Sequence, residues 1–357
     1  MTKMKNINEL KNMSTMKVYK LFALLITVIS LMYGCGKPQD AESLWPDDQS
    51  GGFTIVKEFP TSAYAQDVIK KDNLLYIAQG EGGLTIVDVT NPLHPETVSV
   101  LSEGVRGYST RIAMKDSVVY LASGSFGVNV INVINPAEPV VTVSNLNMKP
   151  ARDLLVMGNY MFTAISEQGV RISDISFPVY PDIRGGMVTN GYARGLANSS
   201  DTSLLFVACG EMGLSVFNIS DFQNGFGEYP VVGWCDTPDY AEMVVVDDDE
   251  SLAYMACGTA GLQIVDYSDT LNMKIVGSYD GAGYAKSLVY KDHMVYLAAE
   301  KGGLQVIDVS NVTNPRAVGL VDMDYAMGLV VDEPYIYVAN DAGGLTIVEF
   351  PQPVILP

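Results

Sequence analysis

The sequence predicts an all-β protein: a seven-bladed β-propeller with four antiparallel strands per blade, its ring closed by an N-terminal strand that completes the last blade. Three observations predict it. An aromatic residue recurs seven times, at Tyr76, Tyr120, Phe162, Phe206, Tyr254, Tyr296 and Tyr337, at intervals of 41 to 48 residues. Each is followed eight positions later by Leu or Val with Gly just before it, from Gly83-Leu84 to Gly344-Leu345. A period of about 40 to 50 residues with several short strands per copy is the mark of propeller blades. Finally, the chain's hydrophobic content is 48% and it has 33 glycines, which suits many buried strands joined by tight turns.

The elements of one copy follow in order. Tyr284 to Tyr290 reads as an inner strand, Met294 to Ala298 as a second, Leu304 to Val309 as a third and Ala317 to Val321 as a fourth. Turn-forming Asp, Asn, Gly and Pro separate them. The Gly before each third strand supplies the positive φ or bulge that a hairpin needs there. The recurring aromatic should fill the space between blades. The seventh copy stops after its third strand, Leu345 to Phe350. The missing fourth strand stands at the other end, at Gly52 to Phe59, and pairing the two hides an open sheet edge.

The segment before the repeats differs. Lys17 and Lys20 precede an uncharged apolar run, Leu21 to Tyr33, that spans only ~20 Å as a helix, short of the ~30 Å of a bilayer core. It reads as an export signal. The ending Met32-Tyr33-Gly34-Cys35 resembles a bacterial lipobox, which implies lipidation of Cys35, and Gly36 after it implies outer-membrane or cell-surface delivery. The expected organisation is a signal peptide over 1–34, a linker over 35–51 and the propeller over 52–357.

The whole chain carries a net charge of −19. Such acidity repels phosphate backbones, so no nucleic-acid partner is expected. Cys209 and Cys257 occupy equivalent positions in neighbouring copies, too far apart for a disulfide, and free buried thiols are expected there and at Cys235. His94 and His293, the two histidines, fall in turns, which leaves neither a nucleophile–His–acid triad nor a histidine-rich metal site. No cofactor is expected. Calcium is the metal that the oxygen-rich run Asp247-Asp248-Asp249-Glu250 would suit. The run fills a hairpin position, however, and lacks EF-hand spacing, so it reads as a solvated turn.

Leu84-Thr85-Ile86-Val87-Asp88-Val89-Thr90-Asn91-Pro92 resembles the core motif of the LVIVD-repeat family, as do Leu262 to Asp266 and Leu304 to Asp308. Copies two and three look degenerate. Ile336 to Asn340 is also similar to YVTN-type surface-layer propellers. The resemblance implies a bacterial exported or surface propeller and carries no catalytic residues.

Function should lie where the copies diverge. Six copies start the inner strand with Tyr: Tyr64, Tyr108, Tyr192, Tyr240, Tyr284 and Tyr325, with Pro150 in the remaining one. Tyrosines there either stack on a flat ligand or pack structurally. Two residues on stand Gln66, Thr110, Arg152, Arg194, Glu242, Lys286 and Met327. Three cations at one position of an acidic chain suggest a channel-mouth site for an anionic group. Arg152, Arg194, Lys286, Glu242, Tyr192, Tyr240 and Tyr284 are the candidate ligand-binding residues. The alternative is local charge pairing with Glu242, Glu211 or Glu167. In copy four, the excursion Ser220 to Tyr229 presents Phe222, Phe226 and Tyr229 either to a partner or back onto the blade edge.

The expected protein is a monomeric, lipid-anchored, non-catalytic binding module for an extracellular or periplasmic protein or a glycan. The alternative is an extracytoplasmic carbohydrate-active enzyme that uses channel-mouth carboxylates and tyrosines.

Overall fold

The computed structural model describes residues 49–222 and 229–352, with Asn145 as backbone only. The signal segment, the lipidation candidate Cys35 and Phe226 lie outside the described residues.

Among the described residues, seven four-stranded antiparallel sheets form the blades. Blade one consists of Asp67–Lys71, Leu74–Ala78, Leu84–Asp88 and Glu96–Leu101. Blade four consists of Gly195–Asn198, Leu204–Ala208, Leu214–Asn218 and Val231–Cys235. Blade seven takes three strands from the C-terminal end, and Thr54–Phe59 pairs antiparallel with Leu345–Glu349 as its fourth, from Thr54 opposite Glu349 to Phe59 opposite Leu345. The ring is therefore closed by backbone hydrogen bonds between the two ends of the repeat region. Among the described residues, no helix is long and apolar enough to cross a membrane.

The recurring residues have the roles that sheet physics assigns them. Seven apolar clusters occupy the seven gaps between blades, and each draws on two neighbours. Phe206 and Val216 of blade four, for example, pack with Val244 and Met255 of blade five. The recurring aromatics sit in these gaps, with Tyr120, Phe162 and Phe206 wholly buried. Truncating such a ring to Ala costs about 3–5 kcal/mol. Before the third strand, Gly213 has φ +69°, and a Cβ there would lie 2.3 Å from the Cys235 carbonyl oxygen, so only glycine fits.

The Asp that ends the third strand also has a mechanical reason. The carboxylates of Asp88, Asp174, Asp266 and Asp308 each accept the backbone N–H two residues on, and Asn132 and Asn218 do the same with their amide oxygens. This side-chain turn releases the chain from the strand and starts the loop to the fourth. All seven blades then shift register between third and fourth strands, so the outermost strand bends away from its neighbour.

The loop readings resolve as follows. Cys209, Cys235 and Cys257 are free and buried. Burial pushes the Cys209 thiol up to about 11 and the Cys257 thiol up to about 12, which keeps both protonated and unreactive. His94 and His293 are exposed. In the acidic run, Asp247 accepts the Tyr290 hydroxyl at 2.7 Å and Asp248 accepts that of Tyr267 at 2.6 Å, so two of its carboxylates anchor tyrosines instead of being purely solvated. In blade four's excursion, Phe222 is buried and meets Tyr160 and Phe162 edge-on at 5.1 and 5.4 Å. Tyr229 packs on the same cluster, so these two rings fold back onto the blade edge.

Candidate functional site at the channel mouth

A ring of seven backbone bridges builds this face. The turn between second and third strands of each blade pairs with the residue just before the next blade's divergent position. The pairs are Gly80 with Ser109, Gly124 with Ala151, Ser166 with Ala193, Gly210 with Ala241, Gly258 with Ala285, Glu300 with Ala326, and Asp341 with Ala65. The next residue in each blade donates its own N–H to the end of the second strand, as Arg152 does to Ala164 and Arg194 to Ala208. The backbone is thus pinned on both sides by its own hydrogen bonds, which do not depend on the identity of the side chain at each of the seven positions.

These seven side chains converge. Gln66, Thr110, Arg152, Arg194, Glu242, Lys286 and Met327 line one cavity of about 140 Å³, together with Arg111. Four cations and one carboxylate face it, in a chain of net charge −19.

Three of the charges are tied together. Arg194 of blade four donates from Nη2 and Nε to Glu242 Oε2 at 2.6 and 3.0 Å. Lys286 of blade six reaches Glu242 Oε1 at 3.2 Å, and the Tyr284 hydroxyl donates to the same oxygen at 3.0 Å. Glu242 of blade five therefore joins three consecutive blades. Burial alone would raise its carboxyl, but Lys286 and Arg194 outweigh that and hold it below the ordinary range.

Arg111, Asp67 and Asp153 form a second group, at the next position along the inner strands. Arg111 donates across the channel to Ser287 Oγ and the Lys286 carbonyl, both at 3.2 Å, and its Nη1 lies 3.7 Å from Asp67. Asp67 and Asp153 also accept the N–H groups of Ile112 and Leu196 in the following blades. Burial pushes the Asp67 carboxyl up to about 6 and raises that of Asp153, against the pull of Arg111 on both. The sequence reading missed these three residues. Their signal was a second divergent position with complementary charges in three adjacent copies.

Arg152 stands apart. Its guanidinium makes no ion pair or hydrogen bond with any described residue, and its Nε is buried with no partner. Burial, and then Arg194, depress its affinity for a proton, yet an arginine remains charged at any physiological pH. Direct pairing therefore accounts for Arg194 and Lys286, whereas Arg152 lines the cavity without a direct partner and feels Tyr240, Glu167 and Glu242 only as nearby charges.

The tyrosines divide in the same way. Tyr240 lies under the Arg194 guanidinium, 5.3 Å from its ring centroid, and its ring covers Gly210 of the preceding blade, where a Cβ would lie 2.8 Å from it. Tyr284 is engaged with Glu242. Tyr192 is 45% exposed and free to meet a ligand.

The LVIVD repeat matches residues 62–101, 150–189, 240–281, 282–323 and 324–350, more than half of the chain. Copy three, read above as degenerate, is matched, whereas copies two and four are not. No curated protein is significantly similar in sequence. Among solved structures, the WD40 β-propeller domain of Doa1 superposes with a TM-score of 0.66 at 8% identity, over 85% of this chain and 98% of its own. The computationally designed Ika8 protein superposes with a TM-score of 0.58 at 10% identity, over 82% of this chain and 98% of its own. At such identities the likeness is one of fold.

Proposed function

Because this chain belongs to the LVIVD-repeat family, we propose that it is a binding module whose channel mouth captures an acidic group of an extracellular protein or glycan. In this reading it is a monomer, exported and held at the outer membrane or cell surface by lipid on Cys35. The observation that carries the proposal is Arg152, a partly buried guanidinium that lines a cavity rich in cations and makes no ion pair or hydrogen bond with any described residue. A carboxylate entering the cavity would pair with that guanidinium and neutralise its charge in one step.

The cavity's own carboxylate supports binding over catalysis. Glu242 spends both oxygens on Arg194, Lys286 and Tyr284 and is held ionised, so it has no proton to donate to a leaving group. The size supports capture of a single group. About 140 Å³ holds four or five waters at ~30 Å³ each, well under the ~300 Å³ of a typical whole-ligand pocket.

An array of acidic and neutral glycans and peptides tests the reading. Acidic members should be retained by the parent protein and bind Arg152→Gln about 30-fold more weakly, ~2 kcal/mol. Retention unaltered in the variant would refute it. Membrane anchoring is read separately, by incorporation of labelled palmitate, which Cys35→Ala should abolish.

A further inference from the structure

The cavity accepts one acidic group, so the rest of a ligand must lie on the surrounding face, and that face is not uniform. Blade two sets Phe126 over Gly107 at the turn that matches Met212 in blade four, and blade four adds a tryptophan on its outer edge. Trp234, on its outermost strand, is 46% exposed, and its indole N–H donates to the Met212 carbonyl at 2.7 Å, which fixes the ring beside the turn between second and third strands. Met212 is 40% exposed, and its side chain packs over Gly191, where a Cβ would lie 2.8 Å from it. Tyr192 follows Gly191, and Arg194 of the cavity is two residues further on. An exposed apolar path from Trp234 to Met212 thus lies against Gly191, in the segment that leads through Tyr192 to Arg194 of the cavity.

Strand register shows how particular this path is. Trp234 pairs with Ser215. The matching outer-strand residues are Val100, Gly186, Ser278, Leu320 and Glu58 in blades one, three, five, six and seven. None of those is aromatic.

The turns around the cavity carry five carboxylates against one cation, Lys301 beside Glu300. Glu81, Glu167, Glu211, Glu300 and Asp341 occupy them, and the first three are exposed. A polyanion would meet these carboxylates before it reached Arg152. A neutral chain with one acidic terminus would not, and its hydroxyl groups would find acceptors along the rim. A flat, fixed indole offers a stacking surface for sugar rings, whose C–H faces are apolar and whose edges are polar.

Building on the acid-binding reading above, we infer that the ligand is a neutral glycan capped by a single acidic sugar, with its acid at Arg152 and its neutral rings on the Trp234–Met212 platform. Charge complementarity at the cavity and a fixed, exposed indole on the blade that carries Arg194 select this occupant.

The chain has two tryptophans, so Trp45→Phe isolates the emission of Trp234. The test titrates that protein with glucuronate, with aldotetrauronic acid (one glucuronate on a neutral xylotriose), with xylotriose, with tetragalacturonate and with tetraglutamate. Aldotetrauronic acid should bind about tenfold more tightly than glucuronate and shift the Trp234 emission. Trp234→Ala should erase that gain without weakening glucuronate, and Trp234→Phe should retain most of it. A gain that survives Trp234→Ala overturns the platform and leaves acid capture at Arg152 standing. Equal or tighter binding of tetragalacturonate or tetraglutamate overturns the assignment to a singly charged glycan. Failure of glucuronate and aldotetrauronic acid alike to bind overturns the inference, and where the array above still gives Arg152-dependent acidic hits, acid capture itself survives.

Discussion

Arg111 of blade two donates from Nη1 to Ser287 Oγ of blade six, 3.2 Å away, and so bridges opposite walls of the channel. The same guanidinium is the counter-charge for Asp67, which is partly buried, and Asp153, which is buried. Removing one member of a buried charge group leaves the others uncompensated. Arg111→Ala should therefore destabilise the fold by about 3–5 kcal/mol. Ser287→Ala should cost only about 1 kcal/mol, as for one lost hydrogen bond. Denaturant unfolding of the two variants measures both.

The cations at the divergent position should separate in the same assay. Glu242→Ala leaves Arg194 and Lys286 facing each other without their shared carboxylate and should cost about 3–5 kcal/mol. Arg152→Ala removes a charge that Arg194 repels and that Tyr240, Glu167 and Glu242 attract without direct contact, so its stability should stay within about 1 kcal/mol of the parent. A loss of stability in Arg152→Ala matching that of Glu242→Ala would mean Arg152 has a structural partner.

Asp67 gives the channel a pH signature. Its carboxyl titrates near 3.8 in the unfolded chain and at about 6 in the fold, raised by burial. Between those values the folded state binds the extra proton, so this group's contribution to stability falls as pH rises from about 4 to 6. Asp67→Asn lacks that titration. Stability of Asp67→Asn relative to the parent should rise across this window and level off above it, as read from unfolding free energies at a series of pH values. A flat difference would show that Asp67 titrates alike in both states.

Ring closure rests on Thr54–Phe59, and Phe53 just before it is buried against Tyr296 and Phe350. Deleting residues 50–60 should give insoluble or markedly destabilised protein, because it bares the edge of the strand Leu345–Glu349. Phe53→Ala keeps the strand and should cost about 3–5 kcal/mol. Thermal melting of the truncation unchanged from the parent would contradict closure by this strand.

The blades were legible in the sequence because every copy must solve the same three problems. Gly213 and its equivalents turn a hairpin, Phe206 and its equivalents fill an interface, and Asp88 and its equivalents stop a strand. Repetition turns weak local signals into a strong one. The channel was legible for the inverse reason: Arg152, Arg194 and Glu242 stand where the copies cease to agree. What each cation does there depends on ring order, since Glu242 sits between the blades of Arg194 and Lys286 and one blade too far from Arg152. Arg111 crosses to Ser287, 176 residues away, a pairing that no local pattern announces. Trp234 was passed over because an outer-strand residue without counterparts in other copies has no periodic mark.

The most direct measurement is the Nε–H resonance of the Arg152 guanidinium in 15N-labelled protein as glucuronate is added. The account predicts a saturable shift at Arg152, with Arg194 changing little because its Nε already donates to Glu242. A saturable response at Arg194 with none at Arg152, or an unmoved Arg152 while glucuronate binds, would contradict it.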